Sequence, residues 1–467
     1  MKRIFIFFIA LLFISCPAPK KSIKTDSSEV WMGVYLQKQK IGYSFFQIQK
    51  VQELYKITNR FKINLAMMGQ EQEVISNFIG YTDTGYALVS FDFSFSSTKN
   101  AFSAWGEVKD RKLIIEVKSG GKTQTASQDL GGPIFPVSAL GALAIKRNFQ
   151  LERDYDVHVF DATLLKVEDA KVRVLGKEKL NLNNKNYNLT KISVTMLGLT
   201  TTMWVDDNGI ERKEESPPSM STIEETREQA LVQEAAMGKL DILSMFSIKI
   251  DTTIADARKV KYLKIRMTGA DFTNLGIADN SQTIVKTNPL EIEIRSKDSL
   301  PKINLPISGG EEFLKPTLCI QSDAKELKEQ ARKIIGSEKD GAKATEKIMQ
   351  WVYTNINKRP TASLPSALDV FKTREGDCNE HAVLFAALCR AVGIPCEICV
   401  GIVYVDNGFY YHAWNKVLLG DWIAVDPTFG QFPIDATHIK LSEGELDEQA
   451  KVLKLVGEVK IKVLEFK

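Results

Sequence analysis

The hydrophobic period of this chain changes near Ser322, and that change divides the fold. Before it, apolar residues recur at every second position, as in Phe91-Asp92-Phe93-Ser94-Phe95. That is the period of a strand that buries one face. Runs of this kind cover 30–36, 43–51, 55–65, 73–79, 87–95, 102–108 and 112–117, then 155–160, 170–175, 187–196 and 200–205, with polar or glycine breaks between them. Such a series specifies antiparallel sheet, as a half-barrel or sandwich. Two helical stretches interrupt it. One is 137–146, after Gly131-Gly132-Pro133. The other would start at Ser221-Thr222-Ile223-Glu224, which reads as a capping box, and run to about Gly238. Strand pattern returns over 246–310. After Ser322 the period is helical: 323–335, then 342–356, where Ile348, Met349, Val352 and Ile356 share one stripe. A last pair of strands is expected at 451–455 and 459–466. The predicted class is multidomain α+β. It has a β-rich antiparallel domain at 30–245, a small β linker module at 246–310 and an α+β domain at 311–467.

The first 29 residues read as an address. Lys2 and Arg3 precede an apolar run, 4–14, that is too short to span a bilayer as a helix. Phe13-Ile14-Ser15-Cys16 resembles a bacterial lipobox. The resemblance implies a signal peptide at 1–15, cleavage before Cys16, lipid on Cys16 and a polar tether at 16–29; an ordinary secretory signal is the alternative. The expected location is the bacterial cell envelope, with the chain anchored to a membrane and facing the periplasm or exterior. Lys and Arg number 61 against 58 Asp and Glu. So even a balance gives no reason to expect nucleic acid as a partner.

Six cysteines are present, and four of them, Cys378, Cys389, Cys396 and Cys399, fall close together. Cys396-x-x-Cys399 has no second ligand pair and sits in a predicted strand, whose alternation sends the two side chains to opposite faces. No metal site and no cofactor are expected. A disulfide among Cys389, Cys396 and Cys399 stays open.

The chemistry-bearing stretch is 376–428. Gly376-Asp377-Cys378-Asn379-Glu380-His381 opens an apolar helix that Gly393-Ile394-Pro395 stops. Asp377 is a predicted N-cap. Cys378 then stands on the first turn, where free N–H groups and the helix dipole favour a thiolate. A strand, a turn at Asp406-Asn407-Gly408 and a return strand place His412 as a candidate base. The next strand ends in Asp426-Pro427-Thr428, where a carboxylate can orient the ring. Two rivals lie on the helix itself: His381 as base and Glu380 as orienting acid. Each lacks a second element to hold it across a cleft.

The blocks Gly-Asp-Cys-x-Glu-His-Ala, Gly-Ile-Pro, His-Ala-Trp-x-x-Val, Gly-Asp-Trp and Asp-Pro-Thr, in that order, resemble the transglutaminase-like superfamily, in particular its bacterial members, over about residues 320–445. The resemblance implies a papain-like α+β core with Cys378 as nucleophile, His412 as base and Asp426 as orienting acid. It also implies acyl transfer or hydrolysis at amides through a thioester. Where many bacterial members read Gly-Ile-Pro-Ala-Arg, this chain has Cys396-Glu397 after Pro395. The expected partner is a peptide or protein amide substrate, besides the membrane. The competing reading is a non-catalytic peptide or cell-wall binding module on the same fold. A third makes the N-terminal sheet a lipid carrier.

Overall fold

The computed structural model describes residues 27–67, 70–97, 101–119, 122–232, 247–273, 275–359, 365–445, 448, 451–452 and 454–467. The leader, Cys16 and nearly all of the tether lie outside the described residues. So does the end of the second predicted helix.

Fifteen strands between Ser27 and Phe135–Pro136 or Glu225 form one sheet. Almost every strand pairs antiparallel with its neighbour in the chain, and the first, Ser27–Leu36, also pairs with the last, Met220–Glu225. The series therefore runs nearly round a circle. Its open edges are Lys122–Asp129 and Phe135–Pro136, which are close in sequence. Across that seam side chains take over from backbone pairing. The rings of Phe91 and Phe160 meet with centroids 4.4 Å apart, tilted by 40°, and the Val167 N–H donates to Gln128 Oε1 at 3.4 Å. Alternation decides which face turns inward: Phe91 and Phe93 are buried while Asp92 between them is exposed. The helix Leu140–Lys146 packs against the inner face, with Leu140 and Leu143 fully buried. Each such leucine contributes about 1.5–3 kcal/mol by leaving water. Gly141 permits this approach, since a Cβ there would lie 2.8 Å from the Gly209 carbonyl.

Ser221-Thr222-Ile223-Glu224 does not cap a helix. It belongs to the strand Met220–Glu225, between Ser27–Leu36 and Glu211–Ser216. The helix is Arg227–Leu231, capped by Thr226 with Gln229 completing the box. A cap supplies about 1 kcal/mol. The strand pairs on both sides and closes the sheet, so pairing prevails.

The stretch 246–310 is not a module of its own. Tyr262–Thr268, Gln282–Thr287 and Leu290–Arg295 form a four-stranded sheet with the final strand, Lys460–Phe466. Leu263, Ile265 and Ile292 share one apolar cluster with Phe385 and Ile402. Local pattern cannot reveal a partner strand at the far end of the chain, which is why the expected boundary at 310 divides a continuous core. Of the expected strand at 451–455, the described residues are helix and turn.

The rest of this core is built from α1 (Lys325–Ile335), α2 (Gly341–Asn355), α3 (Ala367–Thr373) and α4 (Cys378–Ala391). Against them lies a sheet with β1 (Cys396–Val405), β2 (Gly408–Leu418), β3 (Trp422–Val425) and β4 (His438–Glu443). β1 pairs with β2 and β4, and β2 pairs with β3. The helix α4 contacts β2 on one side and α1, α2 and α3 on others. Its apolar residues face every direction, so its middle is buried all round.

Candidate active site

The start of α4 is fixed by its cap. Asp377 is extended, and its carboxylate accepts from the Asn379 N–H at 2.9 Å, while Glu380 Oε2 accepts from the Asp377 N–H at 3.0 Å. Gly376 is required here, because a Cβ would meet Glu380 Cβ at 2.2 Å. Glu380 is thus half of a capping box and does not orient His412. His381 is turned back as well. Its Nδ1 lies 2.6 Å from the Asp377 carbonyl oxygen. Its Nε2 is buried with no hydrogen-bond partner among the described residues, and burial lowers its pKa, so the ring stays neutral.

Cys378 follows the cap, on the first turn. It is partly exposed, whereas Cys319, Cys389, Cys396 and Cys399 are buried and unbridged. Cys396 and Cys399 oppose Val417 and Trp414, positions three apart on β2 and therefore on opposite faces. The Ala413 N–H reaches the Cys378 thiol, which sets Cys378 against the strand that carries His412. The thiol is not a ready thiolate, contrary to the expectation from the helix end. Burial pushes its pKa well up, the charges of Asp377, Glu380 and Asp426 add to this, and the Ala413 N–H offsets part. A proton acceptor has to take the thiol proton.

His412, next to Ala413 on β2, is held from the neighbouring strand. β2 meets β3 with Asn415 opposite Val425, which carries Asp426 alongside the histidine. His412 Nε2 lies 2.8 Å from Asp426 Oδ2. Asp426 thus engages Nε2 and not the other ring nitrogen, Nδ1. Phe429 stacks on the imidazole with centroids 4.9 Å apart and planes 15° apart, so the ring cannot swing. The Asn415 side chain, fully buried, donates to the Ala382 carbonyl at 3.1 Å and ties β2 to α4.

Asp426 is fully buried and divided between two tasks. Its Oδ1 accepts from the Thr428 and Phe429 N–H groups at 2.7 and 2.9 Å. Its Oδ2 serves His412 and also a second imidazole, His438 Nε2, at 3.0 Å. Burial alone would raise this carboxyl, but the two histidines hold it far below the usual carboxylate range. His438 sits 3.5 Å from Asp435 Oδ1 through its Nδ1, and Asp435 Oδ2 meets Arg258 Nη1 at 3.1 Å. Burial disfavours a charged His438, yet Asp426 and Asp435 outweigh it and push its pKa up to about 9. The sequence reading sets His438 near Asp426 but gives it no role, and it misses Asp435, Arg258 and Asn415. A faint signal existed in Asp435-x-x-His438, but its meaning depends on β4 pairing with β1. His412, Asp426 and His438 also offer one ligand atom each within 4.8 Å of one another, a set that could hold a metal ion if both histidine Nε2 atoms gave up their protons.

Residues 328–427 match the family model of the transglutaminase-like superfamily. The chain carries a transglutaminase-like domain. The kyphoscoliosis peptidases of mouse and human are 34% and 33% identical to it over 86 residues, 16% of this chain. The match spans 13% of those relatives' length. Among solved structures, a candidate cysteine protease from Cytophaga hutchinsonii is 19% identical, with a TM-score of 0.30, covering 44% of this chain and 86% of that one. A β-barrel-like protein of the domain family DUF1849 from Brucella abortus is 14% identical, with a TM-score of 0.34, covering 42% and 94%. The transglutaminase-like domain of this chain includes Cys378, His412 and Asp426. Its family match ends at Pro427, one residue past Asp426.

Proposed function

We propose that this chain is an exported cysteine enzyme that acts on amide bonds of peptides or proteins through a thioester. The carrying observation is the order Cys378, His412, Asp426: a partly exposed thiol at a capped helix start, beside a ring locked by a buried carboxylate. His412 Nδ1 takes the thiol proton and Sγ attacks the amide carbonyl. The Cys378 N–H, on the first turn and without an intrahelical acceptor, faces the developing oxyanion. The C–N bond then breaks and the imidazolium gives its proton to the leaving amine. Water or a second amine attacks the thioester, His412 takes its proton, and Sγ leaves as thiolate to be reprotonated. Asp426 holds the tautomer throughout and is not itself protonated.

Hydrolysis and transfer use the same residues and differ in which nucleophile the cleft admits. A dilute extracytoplasmic compartment, reached through the 1–15 leader and the Cys16 anchor, favours water. Incubation with a glutamine peptide and a labelled amine separates the outcomes. Label incorporated by wild type and lost in Cys378→Ala supports transfer, peptide cleavage or deamidation lost in the same variant supports hydrolysis, and neither product refutes the enzyme reading. One observation favours the second reading, a non-catalytic peptide or cell-wall binding module: the strong upward push on the thiol. Equal ligand binding by wild type and Cys378→Ala, with no turnover in either, would establish it.

A further inference from the structure

The nearly closed N-terminal sheet encloses a second site. Its cavity, about 360 Å³, is walled by Phe46, Phe61, Phe78, Phe93 and Phe160. Glu211 and Glu214 line the same cavity. Residues three apart on a regular strand point to opposite faces. Here a register shift brings them together: Glu211 opposes Val205 and Glu214 opposes Met203, with one extra residue between them. Val205 and Met203 are two apart and both belong to the inner apolar cluster, so their cross-strand partners share that face. A bulge that re-aims side chains is a common device beside sites.

The carboxyls are bonded to each other, and Thr222 Oγ1 donates to Glu211 Oε1 at 3.3 Å. Neighbouring cations are engaged elsewhere: Lys213 with Glu215 at 2.7 Å, and Arg212 with Asp206 at 2.8 Å. Among the described residues lining the cavity, Asp161 is the third acidic group and none is basic. Asp161 Oδ1 is occupied by the Thr163 N–H and hydroxyl. The Ser138 hydroxyl, also in the wall, is buried and has no hydrogen-bond partner among the described residues. Burial raises both glutamates, and the charge of Glu214 raises Glu211 further, so the pair holds a shared proton above the usual carboxylate range.

We propose that this cavity binds a small amphipathic amine, with its ammonium between Glu211 and Glu214 and its apolar tail along the phenylalanine rings. An ammonium offers three donors and no acceptor, which suits two carboxylates and an unpartnered hydroxyl. Its charge compensates the carboxylates that the apolar wall leaves costly. Ring faces attract the same cation from the other side. Binding displaces the shared proton, so affinity rises with pH through the range in which the pair titrates.

The test is calorimetric titration of the full chain carrying Cys378→Ala, which removes any consumption of amine at the thiol. The probes are n-octylamine, n-octanol and n-octanoate. Octylamine should bind about tenfold or more tightly than octanol, octanoate should not bind, and octylamine affinity should rise from about pH 5.5 to 7.5 with proton release. Glu214→Gln, equal in shape, should weaken octylamine about tenfold while leaving octanol unchanged. Octanol or octanoate binding with an affinity equal to that of the amine would overturn the proposal, since the cavity would then be a site for neutral or acidic lipid. Absence of octylamine binding, or binding indifferent to Glu214→Gln, would overturn it too.

Discussion

Replacing His438 by glutamine separates the two histidines that share Asp426. The charged His438 has a folded pKa near 9 against an ordinary 6.5. A difference of that size corresponds to about 3 kcal/mol of folding stability. Because the folded value is raised, this contribution is complete below about pH 6.5 and disappears as the pH climbs through about 9. His438→Gln should therefore cost about 3 kcal/mol near pH 6 and clearly less near pH 9.5, read as denaturant midpoints at both values. An equal loss at both values would mean that His438 contributes packing and a neutral hydrogen bond, not charge.

The same variant has a second readout at the thiol. His412 and His438 rings lie 6.0 Å apart. Two unit charges at that separation repel by about 3 kcal/mol at an effective dielectric of about 20. His438 therefore opposes the imidazolium that must form when Cys378 gives up its proton. Its removal favours that imidazolium, and the midpoint of Cys378 alkylation by iodoacetamide should move down by about one to two pH units. A midpoint that stays put or moves up would refute the coupling through Asp426, whatever happens to stability.

Three further outcomes follow from the site. In wild type, Cys378 should be alkylated while Cys319, Cys389, Cys396 and Cys399 remain blocked until unfolding, and His412→Ala should raise the Cys378 midpoint; peptide-resolved mass spectrometry against pH checks both. Asp377→Ala removes the cap of α4 and should cost about 1 kcal/mol, with a larger loss in turnover than in stability, because the first turn carries the thiol; thermal unfolding and kinetics on one preparation distinguish the two. Zinc should inhibit through His412, Asp426 and His438, reversibly with chelator and progressively less as pH falls, and His438→Gln should weaken that inhibition about tenfold or more in a zinc titration.

How much could be read beforehand depended on sequence distance. Cys378, Asp377 and Glu380 are legible because a helix cap is a local device whose partners lie within three residues. His412 and Asp426 are legible because β2 and β3 are joined by a short turn, so strand register converts chain spacing into contact. The sequence puts His438 near Asp426, 12 residues on, yet no turn or motif gives it a role. β4 pairs with β1, three strands earlier in the chain, and that pairing brings its imidazole to Asp426. The same reason explains the misplaced boundary at 310, whose strands await Lys460–Phe466, and the false capping box at Ser221, whose strand awaits Ser27–Leu36. In each case the local signal was correct chemistry with the wrong partner. The site has the same layout: a local motif sets up the nucleophile, and a non-local strand brings in the charge that tunes its base. A substitution on β4 can therefore change the chemistry at Cys378 without touching any residue of the recognisable motif.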